Sequence, residues 1–249
     1  MKNVLKKAAI ASTLIGAAFA VSAAPILGKL QLGSGLVDAS LNEIDWNAPL
    51  NPGLDLVKTY GNFFVQAAGN TGSFAGLNGF FTPATIQDMS NNPADANYMP
   101  VGPNSVSNFI NLTGLPQSQW KIDANYLFPG TAGTPYLLSQ QGSNIFASIA
   151  IKGTICDMGG DSICNLTDSV TNFDLALSSQ YNLTDIGDVD GNGSINTADV
   201  FTLLISGGHL PNNTWSGTLT ANNIPEPGSM ALLGLGLIGM AAMRRKSVK

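Results

Sequence analysis

The chain has 249 residues, of which 44% are hydrophobic and 11% charged, with 28 glycines, 13 prolines and a formal net charge of −5. An acidic balance repels polyanions and argues against a nucleic-acid partner. The one histidine, His209, stands far in sequence from the two cysteines, Cys156 and Cys164, and no His/Cys cluster suits a transition metal.

In chain order, Lys2, Lys6 and Lys7 precede an apolar run from Ala8 to Val21, and small residues follow. A basic n-region, an apolar h-region and a small-residue cleavage site read as a secretory signal peptide, residues 1–23, removed by signal peptidase after Ala23. The far end repeats the polarity: an uncharged run from Ser229 to Met243 is followed by Arg244, Arg245 and Lys246. Basic flanks stay on the cytoplasmic side, so both ends place the intervening chain outside. Between them Lys29, Lys58, Lys121 and Lys152 stand against 16 acidic residues, a formal −12. Residues 24–223 then form the exported ectodomain, long enough for one sizeable core.

Short apolar segments alternate with turn signals through this region. "KLQLG", "GNFFVQAAG", "QWKIDANYLF", "TPYLLSQ" and "NIFASIAIKGTIC" read as strands, as do "VTNFDLALSSQ" and "NTWSGTLTAN". Ile145, Ala147, Ile149, Ile151 and Ile155 share one period-2 face. Many short strands with frequent turns predict an all-β sandwich or barrel; the expected form is a single jelly-roll-like β-sandwich with one or two short helices. "IQDMS" and "VSNFINL" are expected as helical turns, and "MSNNPADANYMPVGPNS" as a long exposed loop. The best helix is "TADVFTLLISGG", with Asn196 as N-cap, Asp199 in the first turn and Gly207-Gly208 as a stop.

Cys156 and Cys164 flank "DMGGDSI". In an oxidising compartment such a pair is expected as a disulfide, worth about 2–3 kcal/mol by chain entropy; the alternative is two unpaired thiols.

"DVDGNGSINTAD", residues 188–199, has oxygen ligands at alternate positions: Asp188, Asp190, Asn192, the Ser194 carbonyl, Asn196 and Asp199. Gly193 stands at the sixth position and Ile195 at the eighth. A hard cation that takes 6–8 oxygens wants this set, so a structural Ca2+ is expected, of modest affinity because Asp199 is shorter than the usual Glu. The plainer reading is a Gly-rich turn leading to an N-cap. The stretch resembles one half of a type I dockerin repeat. That resemblance implies the calcium ligands alone, because a dockerin carries two repeats.

The uncharged run Ser229–Met243 spans roughly 22 Å as a helix, short of the ~30 Å bilayer core. Together with Pro225, Glu226, Pro227, Arg244, Arg245 and Lys246, residues 224–249 resemble the PEP-CTERM sorting signal of Gram-negative bacteria. The resemblance implies a transient transmembrane sorting helix over 229–243, processing by an exosortase, inner-membrane tethering before it, and a cell-surface or matrix location after it. It also implies association with exopolysaccharide, biofilm or floc. The middle of the chain loosely resembles ectodomains that precede such tails.

No G-x-S-x-G elbow occurs, and His209 lies in a loop between Gly208 and Pro211. The expectation is a non-catalytic structural or adhesive surface protein. The alternative is a carbohydrate-binding surface protein, with Trp46, Trp120, Trp215, Tyr60, Tyr98 and Tyr126 as stacking platforms; the plainer reading of the six is core or rim aromatics of the sandwich.

Overall fold

The alternating segments form long antiparallel strands. The computed structural model describes residues 25–46, 60–78, 82–95, 97–112, 119–158, 163–164 and 168–222. The expected signal peptide, the helix 229–243 and the sorting-motif residues lie outside these residues.

The strands are β1 (Gly28–Ala39), β2 (Glu43–Trp46), β3 (Tyr60–Val65), β4 (Thr82–Gln87), β5 (Met89–Ser90), β6 (Gly102–Asn111), β7 (Trp120–Leu127), β8 (Leu137–Gln141), β9 (Asn144–Asp157), β10 (Val170–Asn182) and β11 (Leu210–Asn222). Eight of them close a barrel in the order β11-β10-β9-β7-β6-β4-β3-β1, with β1 pairing back onto β11. The sheet thus closes on itself, where two facing sheets were expected. Alternation tells each strand which face is inward; it does not say which strands are neighbours, and it is the same in a sandwich and a barrel. Closure follows from β11 lying between β1 and β10 in register with both, and it removes the free edges that an open sheet would present.

An eight-stranded barrel is wide enough inside to be filled by side chains or to hold one small ligand. Rows of partnered residues fill it. Leu30, Leu219, Leu175, Ile151 and Leu127 form one continuous row across five strands, and every one is buried. In other rows a large residue crosses a small one. The Trp215 indole lies over Gly35, where an added Cβ would come within 2.4 Å of Nε1. The Phe173 ring lies over Gly153, where a Cβ would meet the ring at 2.4 Å and the Asp123 carbonyl at 2.0 Å. Trp46 and Phe63 complete the aromatic layer around Trp215, at centroid distances of 4.9 and 5.5 Å.

The barrel has two distinct poles. At one, β1 begins and β11 ends, with Gly28 opposite Ala221. The disulfide Cys156–Cys164 is here, Cα–Cα 6.2 Å, beside the start of β10. A 3-10 turn, Gly72–Leu77, plugs this end with Phe74 and Leu77; Phe74 meets Trp120 edge-on at 5.4 Å. We call it the tail pole. At the other, the loop pole, β10 passes into β11 through the single-turn helix Leu183–Ile186, the loop 187–196 and the helix Thr197–Ile205. There β1 leaves β3 and pairs with β2, which pairs with β5.

The two expected helical turns are strand. "VSNFINL" belongs largely to β6, whose pairing with β7 shifts register between Val106 and Ile110. Asn108 takes up the irregularity at φ 54°, a conformation Asn tolerates better than most residues. The bulge puts Val106, Phe109 and Ile110 inside, a spacing that imitates a helix face. "IQDMS" spans the end of β4 and all of β5, joined through Asp88, whose carboxylate accepts the Trp46 N–H at 3.0 Å. The expected long loop is likewise strand at both ends, in β5 and β6.

Candidate functional site

The loop of residues 188–199 folds around its own acids. The helix Thr197–Ile205 starts where expected: Asn196 is its N-cap, and Asn196 with Asp199 forms a capping box. Asp199 is completely buried. Its Oδ1 accepts the N–H groups of Val189 (2.8 Å) and Asp190 (3.1 Å), and its Oδ2 accepts that of Asn196 at 2.8 Å. These donors, Asp190 first and then Asn196, hold its carboxyl below the usual carboxylate range.

Asp188 and Asp190 are exposed. Asp188 accepts the N–H groups of Asn192 and Gly193 at 3.1 and 2.9 Å. Asp190 accepts from the Asn192 backbone and side chain at 3.0 and 2.7 Å. The carboxylates of Asp188, Asp190 and Asp199 come within 4.8 Å of one another. Like charges gathered at such distances repel one another. The remaining expected ligands have turned to local partners. Asn192 Oδ1 accepts the Ser194 N–H at 2.8 Å, the Ser194 carbonyl accepts Asn196 Nδ2 at 2.9 Å, and Asn196 Oδ1 accepts the Ala198 N–H at 2.8 Å. The Asn192 and Ser194 oxygens each keep a second lone pair, whereas the Asn196 side chain also accepts the Asp199 N–H in the capping box. The residues therefore fit a hard cation by donor type, with three carboxylates gathered and three neutral oxygens beside them.

The six aromatics separate by burial. Trp46 and Trp215 are core residues, 2% and 3% exposed, and Trp120 packs edge-on against Phe74. Tyr60 and Tyr98 are exposed. Tyr126 lies 4.9 Å from Phe128, whose ring is covered by the Lys152 ammonium at 5.1 Å. His209 is 2.9 Å from Asp38 through Nδ1 and Oδ1, a contact between residues 171 apart in sequence that no local motif announces. Next to Asp38, Tyr136 donates to the Ser40 carbonyl at 2.5 Å. Burial pushes the Tyr136 phenol well above its usual value, helped by neighbouring Tyr181 and Asp38. Burial likewise pushes Tyr181 up to about 12.

A groove of about 420 Å³ opens at the loop pole. Its apolar walls include Leu41, Ile44, Met89, Met99, Phe201 and Ile205, and Glu43 also lines it. It draws on five separate stretches of chain, so no single motif marks it.

Among the described residues no helix is long and apolar enough to cross a membrane. No curated protein and no solved structure matches the chain. Residues 223–246 match the PEP-CTERM protein-sorting motif, which begins directly after Asn222, the last residue of β11. That motif supports an exosortase-processed extracellular or surface protein that passes through a membrane-anchored precursor, with exosortase as its processing partner.

Proposed function

We propose that the chain is a structural or adhesive component of the cell surface or extracellular matrix, associated with exopolysaccharide in biofilm or floc, and that it has no catalytic role. The observation that carries this reading is the sorting motif at 223–246 set directly behind the last strand of a filled barrel. The barrel core holds packed side chains. The chain's one histidine is spent on an exposed contact with Asp38.

Calcium in this reading is structural. It would sit between Asp188, Asp190 and Asp199, with Asn192, Asn196 and the Ser194 carbonyl as neutral donors. Its chemistry is to cancel the mutual repulsion of the three carboxylates and fix the turn from β10 into the helix. The acids face an extracellular cation supply, so modest affinity suffices.

Deletion of the gene tests the role: thinner biofilm or floc and an altered surface proteome are expected. Unchanged values of both would overturn it. Intact-mass measurement of the surface-released protein checks the processing step, which should remove the run after Pro227.

A further inference from the structure

We propose that the groove at the loop pole docks a protein segment that is both apolar and cationic, an amphipathic stretch bearing Lys or Arg. The sorting motif follows Asn222 at the tail pole, and the groove lies at the opposite end of the barrel.

The lining supplies the apolar half of the recognition. Ile205 is 55% exposed and Val101 37%, and both line the groove with buried Met89 and Met99 beneath. Methionine side chains adapt to varied apolar partners.

Charge supplies the other half. Glu43 lines the groove, and Asp95, Asp185, Asp188, Asp190 and Asp199 lie at the same pole. No Lys or Arg among the described residues lies there. Lys29 and Lys121 are at the tail pole, and Lys152 is on the barrel wall. Lys121 is paired with Asp123 at 2.8 Å, and Lys152 lies 4.0 Å from Asp174. The helix Thr197–Ile205 adds to the bias. Its last residue lines the groove, its last turn has no basic residue, and a helix C-terminus carries partial negative charge. An anionic segment would be repelled, and a neutral one would leave this field unused. A divalent cation in the 188–199 loop still leaves the pole negative.

The test measures fluorescence anisotropy of a short labelled peptide of Leu and Lys, and of its Leu and Glu counterpart, against the purified full chain. The Leu/Lys peptide should bind saturably, with affinity falling about tenfold or more as salt shortens the screening length from ~10 to ~3 Å. The Leu/Glu peptide should not bind. Ile205→Ser and Glu43→Gln should each weaken binding several-fold, while Asp174→Asn on the barrel wall leaves it unchanged. Ile205 and Glu43 are both exposed, so neither change threatens the fold. Equal binding of the two peptides overturns the proposal. So does wild-type affinity in Ile205→Ser and Glu43→Gln, or an Asp174→Asn loss as large as theirs.

Discussion

Both oxygens of Asp199 are taken by backbone N–H groups, so the residue needs its charge even without a cation. Asp199→Asn puts an amide NH2 where one carboxylate oxygen accepted, and a donor then faces a donor. The sign of the pH dependence follows from the direction of the shift. A carboxyl held below its unfolded value of about 3.9 contributes stability above that pH and loses it as pH falls through the folded value. Melting in EDTA should therefore show the Asp199→Asn variant below wild type at neutral pH, with the gap closing under about pH 4. A constant gap down to about pH 2 would overturn this account of the residue. Tyr181 gives the opposite limb. Its phenol is raised to about 12 by burial, so the folded state keeps a proton that the unfolded chain has lost. Stability falls as pH rises from about 10, by on the order of 2–3 kcal/mol once both states have ionised. Tyr181→Phe should move the alkaline unfolding midpoint upward. A midpoint at or below that of wild type would show that the hydroxyl matters more as a hydrogen-bonding group than as an acid.

The loop between β10 and β11 is where an element-level test separates calcium from local hydrogen bonding. Asp188 and Asp190 accept N–H groups of Asn192 and Gly193, so replacing both by Ala lowers stability with or without metal. The calcium increment is the informative quantity. At a tenfold excess over Kd a bound cation adds about 1.4 kcal/mol, a rise of about 3–5 °C for a domain of this size. Wild type should show it and the Asp188→Ala, Asp190→Ala double variant should not; equal responses would remove the site. This loop was legible in sequence because its logic is local: cap, glycine turns and alternate acids all lie within twelve positions. The same holds for β9 and β10, whose uninterrupted alternation reads directly as one buried face. It fails for β6, where the bulge around Asn108 converts period 2 into a 3–4 spacing. β2, β4 and β5 were missed because each is short and defined by its partner more than by its own pattern. Trp46 is open in sequence to a core, a rim or a stacking role; which of them holds depends on Trp215, from the other end of the chain.

At the scale of the molecule, the barrel is closed by strands from opposite ends of the described chain. β11 fills the place between β1 and β10, and Leu219 sits between Leu30 and Leu175 with no exposure. Among the described residues β11 is the strand that joins β1 to β10. A chain stopped before Leu210 keeps ten strands but opens two edges and uncovers the core where Trp215, Leu219 and Ala221 were packed. Contacts of such sequence separation are costly to form and rewarded only when complete, so the truncated chain should lose cooperativity outright and not merely melt earlier. Its near-ultraviolet circular dichroism should flatten and its thermal transition broaden, whereas removal of residues 223–249 alone leaves both intact. A sharp transition in the chain lacking β11 would mean that the remaining strands close without it. The expected result has a consequence for sorting. The motif at 223–246 follows the closing strand directly, so the barrel can finish folding only after the chain up to Asn222 has emerged, and the processing enzyme then meets its motif beside a domain that has just closed.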